Sequence, residues 1–118
     1  MIMSFVTYTP NRHSPSYKEE IRISKSGFLT ISPVLVEKYF KDSLHAQMLW
    51  DQESRRIAVK PASPQDSNTL KLGLPKGSRS KRASISGFLE FCGFKPVKNA
   101  SYPAEWDNEL GAVVAKLP

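Results

Sequence analysis

The chain has 118 residues, 40% of them apolar and 24% charged, a length and balance that predict one compact domain or two small interlocked units and exclude collagen-like, wholly disordered and disulfide-framework classes. Seventeen Lys and Arg against eleven Asp and Glu leave a net charge of +6, which favours an anionic partner without naming it. The single cysteine cannot form an internal bridge, and no apolar run approaches the roughly 20 residues of a membrane span. The expectation is a cytoplasmic protein with no membrane partner, and the opening MIMSFVTYTPNRHS lacks the form of a secretory signal.

Residues 1–19 mix prolines, serines and tyrosines without a period and read as an irregular arm, with one short strand around Phe5 to Tyr8. From Glu20, Ile21 and Ile23 alternate with Arg22 and Ser24, the period of a half-buried strand. Lys25-Ser26-Gly27 supplies a turn and Phe28 to Ile31 a second strand. Ser32-Pro33 signals a helix start, with the Ser32 hydroxyl as N-cap and Pro33 in the first turn. Leu35, Val36, Tyr39 and Phe40 recur at helical spacing and predict a two- or three-turn helix with one buried side. Ala46 to Asp51 and Arg55 to Lys60 then read as a hairpin that stops at Pro61.

After the loop ASPQDSNT at 62–69, the same order of signals returns. Leu70 and Leu72 alternate around Lys71. Thr30–Lys41 matches Ser84–Lys95 at an offset of 54, sharing Ile31/Ile85, Ser32/Ser86, Leu35/Leu89, Phe40/Phe94 and Lys41/Lys95, and WDQESRRIAVK matches WDNELGAVVAK at an offset of 56. This pattern predicts a mainly β fold with two short helices, built from two pseudo-symmetric β-β-α-β-β units, 20–61 and 70–118, joined by the 62–69 linker. Pro103, inside the second copy's third strand, predicts a sheet edge or bulge.

Catalytic chemistry finds little to work with. His13 and His45 stand alone, Cys92 falls among Phe88, Leu89 and Phe91 on an apolar helix face, and no metal-ligand spacing or phosphate-cradling glycine pattern occurs. Asp51 and Asp107, each after a tryptophan, suit turn-starting hydrogen bonds to the backbone. The expectation is a protein that is not an enzyme and needs no cofactor or metal. The aromatic residues Tyr39, Phe40, Phe88 and Phe91 read as core, leaving Tyr8, Tyr17 and Phe28 for a surface.

The cations are unevenly placed. Lys71, Lys76, Arg79, Lys81 and Arg82 crowd a Gly-, Pro- and Ser-containing connection with no acidic residue, a composition suited to phosphates. The matching turn of the first copy holds Arg22 and Lys25, and Arg55-Arg56 follows the first Trp-Asp turn. The expectation is that both first turns point to one surface, where their charges add. Arg55 or Arg56 has a second use, pairing with Asp51 or Glu53 across its turn.

The run Ile21-Arg22-Ile23-Ser24-Lys25-Ser26-Gly27-Phe28-Leu29-Thr30-Ile31-Ser32-Pro33, then a short helix, then a hairpin ending Arg56-Ile57-Ala58-Val59-Lys60-Pro61, resembles the DNA-binding domain of the AbrB/SpoVT/MazE superfamily. The resemblance covers residues 20–61. It implies paired units interlaced as swapped hairpins into one small barrel, here supplied within one chain as a monomer with an internal pseudo-dimer, or as a homodimer. It departs from the family pattern at Phe28, where the family carries arginine, and at Ser32, which splits the family's Ile-Pro. The functional expectation is a DNA-binding transcriptional regulator or antitoxin-like module that meets duplex DNA through Arg22, Lys25, Arg55, Arg56, Lys71, Lys76, Arg79, Lys81 and Arg82. Two alternatives stand beside it: an adaptor that holds a partner protein, and a binder of single-stranded nucleic acid or RNA.

Overall fold

A computed structural model describes residues 18–74 and 79–118; the arm's Phe5–Tyr8 strand, Tyr8, Tyr17, His13 and Lys76 lie outside the described residues. Ile21 and Ile23 are fully buried while Arg22 between them is exposed, so alternation makes β1 (Glu20–Ile23) a strand with one wet face. Its partner β2 (Phe28–Ile31) follows a tight turn in which Gly27 holds φ 92°, a conformation that costs glycine little. Leu29 and Ile31 join the same buried face.

Helix α1 (Pro33–Leu35) starts at Pro33 as expected and runs on as a π-type turn over Val36–Phe40. The Ser32 side chain does not cap it: its hydroxyl oxygen accepts the Glu20 backbone N–H at 3.3 Å and so ties the helix start to β1. Leu35, Val36 and Phe40 are buried, each such side chain contributing about 1.5–3 kcal/mol relative to exposure, and Tyr39 stacks flat on Trp106 with ring centres 4.3 Å apart. Strands β3 (His45–Asp51) and β4 (Arg56–Ala62) pair along their whole length. The expected stop at Pro61 does not occur, because the β4 ladder to its other neighbour has already ended at Val59, and a missing N–H there leaves no bond unmade.

The second half repeats the series as β5 (Thr69–Lys71), β6 (Lys81–Ser84), α2 (Ser86–Cys92), β7 (Ala100–Asp107) and β8 (Ala112–Lys116). Gly93 closes α2 in the left-handed conformation, its N–H and that of Phe94 returning to the Glu90 and Leu89 carbonyls. Phe91, expected in the core, is 77% exposed, and only Leu89 and Cys92 of this short helix are buried. Pro103 sits where β7 changes partner, pairing with β1 through Ala100–Pro103 and with β8 through Ala104–Asp107. There its lost donor is tolerated.

The strands form one eight-membered sheet in the order β5-β3-β4-β8-β7-β1-β2-β6. Its two ends meet at Gly73 and Arg82, whose backbones exchange hydrogen bonds of 2.6 and 2.8 Å, so the sheet is nearly closed into a barrel. Exchanging the elements of one half for those of the other leaves this circular order unchanged. The registers obey the same exchange: Leu29 lies opposite Ala83 and Ala58 opposite Val114, each facing its own counterpart 54 or 56 positions along the chain. Likewise Glu20 opposite Pro103 becomes Thr69 opposite Gln47. A pseudo-twofold axis therefore passes through the β2–β6 seam and the β4–β8 seam, on opposite walls of the barrel. The interior between them holds Ile21, Ile23, Leu29, Ile31, Phe40, Ile57, Val59, Ile85, Val113 and Leu117.

Candidate nucleic-acid interface

Because β1, β2 and β6 turn alternate residues inward, the others form a continuous outer surface. Arg22 lies directly across from Thr30, and Thr30 directly across from Arg82, which puts the two arginine backbones about 10 Å apart, two strand spacings. Phe28 and Ser84 form the next row. The Arg82 guanidinium lies 4.9 Å above the Phe28 ring, an attraction that holds the charged group over the sheet. Lys71 is exposed between half-buried Leu70 and buried Leu72, which directs it to the outer side of β5. Glu20 is the one acidic residue of β1, β2 and β6.

The β1–β2 turn at one end of this surface is built by short bonds. The Gly27 N–H donates to the Ser24 carbonyl at 3.0 Å, the Phe28 N–H to the Ser24 hydroxyl at 3.0 Å, and the Lys25 N–H to Asn99 Oδ1 at 2.7 Å. Asn99 thus anchors the turn that presents Lys25, a role with no signal in the linear sequence. The period-two alternation that exposes Arg22 and Arg82 places Thr30 and Ser84 on the same outer side.

The expectation that the two first turns point the same way is corrected. β2 and β6 are antiparallel, with Phe28 opposite Ser84 and Ile31 opposite Lys81. The Lys25 turn therefore adjoins the C-terminal end of β6, whereas the connection carrying exposed Arg79 leaves from the other end. What the halves share is the strand surface between the turns.

Lys81 is corrected as well, since it is 3% exposed and points inward with Ala83. Its Nζ donates to the carbonyls of Phe40 at 2.6 Å, Lys41 at 3.3 Å and Ser43 at 2.6 Å, so the ammonium caps the end of the other half's helix. Burial pushes its pKa below the ordinary lysine value, and the Asp42 carboxylate opposes that shift. Lys81 is not available to phosphate.

Arg55 and Arg56 stand apart from the others, on the β3–β4 turn beside the β4–β8 seam across the barrel. The Arg55 guanidinium lies 5.5 Å over Trp50 and its Nε donates to the Pro118 carbonyl at 2.9 Å. Arg56 donates to the Ser54 hydroxyl at 2.8 Å and pairs with Asp51 at 3.5 Å, an exposed contact that solvent screens. Asp51 accepts from the Glu53 and Ser54 backbones, and Asp107 from those of Glu109 and Leu110, the turn-starting role expected of both. The Ser54 hydroxyl and backbone bonds hold the Asp51 carboxyl below its ordinary range.

Cys92 is buried, and desolvation pushes its thiol up to about 11. His45 Nδ1 is buried without a hydrogen-bond partner. Among the described residues no group of three metal-ligating side chains is found, and no helix is long and apolar enough to cross a membrane. Comparison with protein-family models, curated proteins and solved structures finds no match for this chain.

Proposed function

We propose that the chain is a non-catalytic DNA-binding protein, a transcriptional regulator or antitoxin-like module of the AbrB/SpoVT/MazE type, that meets duplex DNA with the outer surface of β1, β2, β6 and β5. The observation that carries this reading is the placement of Arg22, Arg82 and Lys71 on one side of the sheet, around the pseudo-twofold axis at Leu29–Ala83. A duplex has local dyads of its own, and a surface built from antiparallel, exchange-related strands can address its two backbones in like manner. Cations on such a surface neutralise phosphates and release counterions, while Thr30, Ser84 and the turn serines add neutral hydrogen bonds. Lys25 and Arg79 extend the charge toward its two ends.

Fluorescence anisotropy with a labelled duplex, repeated across salt concentrations, tests the reading. Binding is expected to weaken steeply with salt. Arg22→Gln, Lys71→Gln and Arg82→Gln together are expected to flatten the slope of log K against log salt by about 3, near 1 per phosphate contact. Arg55→Gln with Arg56→Gln, across the barrel, is expected to leave it unchanged. Absence of duplex binding at low salt, or binding indifferent to salt, refutes the proposal, and a preference for unpaired strands transfers it to the single-stranded reading.

A further inference from the structure

The exchange that relates the halves pairs off the residues on the outer surface of β1, β2, β6 and β5. Arg22 opposite Ser101 becomes Lys71 opposite His45, and Phe28 opposite Ser84 becomes Arg82 opposite Thr30. The match extends to the backbone, where the Ser24 N–H donates to the Phe28 carbonyl at 2.9 Å and the Gly73 N–H to the Arg82 carbonyl at 2.6 Å. Two of these pairs keep their chemistry: Arg22 and Lys71 are both cations, Thr30 and Ser84 both hydroxyls. The third does not. On the β2 side of the axis stands the phenyl ring of Phe28, 36% exposed, and on the β6 side the Arg82 guanidinium, which lies 4.9 Å from the centre of that ring. At the margin Glu20 corresponds to Thr69, which again leaves the second half's side the more cationic.

Resting on the duplex-binding reading, we propose that the chain recognises a non-palindromic site in one orientation, with Phe28 against a thymine methyl group on one side of the dyad and Arg82 on a phosphate on the other. A surface of true twofold symmetry meets both halves of a duplex alike and selects a sequence equal to its own reverse complement. Here the like pairs, Arg22 with Lys71 and Thr30 with Ser84, treat the two sides of the duplex alike, and the Phe28/Arg82 pair breaks the symmetry next to the axis. The β2–β6 pair is a two-stranded antiparallel ribbon, a form that the major groove admits, and the thymine C5-methyl is the apolar group that base pairs present there. An apolar ring at this place therefore has one kind of base to prefer. A cation at the counterpart position gains nothing from that methyl and answers the backbone instead.

The test uses the full chain and the duplexes it retains from a pool of random sequence. Their consensus is expected to differ from its own reverse complement and to carry thymine on one side of its centre. Uracil in place of that thymine removes the methyl group alone and is expected to weaken binding about fourfold, the effect of returning one methyl group to water. Uracil at the mirror position is expected to change nothing. Phe28→Ala, at an outward-facing strand position, is expected to lose the response to uracil and to keep the parent's salt slope, because it removes no charge. A self-complementary consensus, duplex binding without any consensus, an equal response to uracil on both sides, or a response that survives Phe28→Ala overturns this proposal and leaves duplex binding standing. If no duplex is retained at low salt, both readings fall.

Discussion

Lys81 shows how one residue can be read correctly for charge and incorrectly for place. Its neighbours Arg79, Arg82 and Lys76 made it part of a basic connection, yet the alternation Lys81, Ala83, Ile85 already put it on the inward side with two apolar residues. What no spacing revealed is why a charge is tolerated there: three carbonyls from a segment about forty residues away supply the solvation that burial removes. Lys81→Met is therefore expected to lower unfolding free energy in urea by about 2 kcal/mol, since it leaves buried acceptors unpaired, while the salt slope of duplex binding stays as in the parent protein. Cys92 was read as core, and its burial agrees. Its pKa rises from the ordinary 9.0 to about 11, so the folded state holds the thiol proton more tightly than the unfolded chain. Its contribution to stability is complete below pH 9.0 and is lost as pH climbs through about 11. Denaturant titrations between those limits are expected to show falling stability in the parent and a weaker fall in Cys92→Ala. At pH 8 an aromatic disulfide reagent should label Cys92 only in the unfolded protein.

At the scale of elements, the turns were the most legible features because their chemistry is local. Asp51 and Asp107 start equivalent turns with equivalent bonds, and the residue in the left-handed region is Arg55 at φ 54° in one and Gly111 at φ 66° in the other. Gly111→Ala adds a Cβ whose nearest neighbour is the flexible Lys60 end at 4.0 Å, so only backbone strain is expected, about 1 kcal/mol in chemical denaturation. Gly27→Ala meets the Ser86 hydroxyl oxygen at 2.4 Å in addition to its φ of 92°, and should cost more. Adding Ser86→Ala is expected to recover the difference but not the strain. Helices were less legible. Pro33 marked a true start, but Ser32 was diverted to the Glu20 N–H, and Phe91 turned outward because a seven-residue helix cannot face the barrel with every apolar side chain it carries. Only contact with the rest of the fold selects among them.

At the scale of the whole molecule, neither half contains its own sheet. β1 needs β7 from the other half, β3 needs β5, and both seams on the pseudo-twofold axis join one half to the other. A chain cut within 63–67 and produced as two pieces is accordingly expected to regain its β-sheet circular dichroism only when the pieces are mixed, with each piece unfolded when alone; independent folding of either piece would contradict the interlaced registers. The sequence by itself determined that there would be two matching series of elements, which residues in each strand turn inward, where the turns lie, and even the offsets of 54 and 56 at which the halves correspond. These follow from short-range patterns: period two, turn chemistry and self-similarity. Tertiary structure alone decided that the corresponding residues face each other across antiparallel seams. That pairing sends the two basic turns to opposite ends, gathers Arg22, Arg82 and Lys71 on one wall, moves Arg55 and Arg56 to the other, and buries Lys81. Direction and distance between segments far apart in the chain depend on which strand edges find each other. That choice is made by packing the whole core at once.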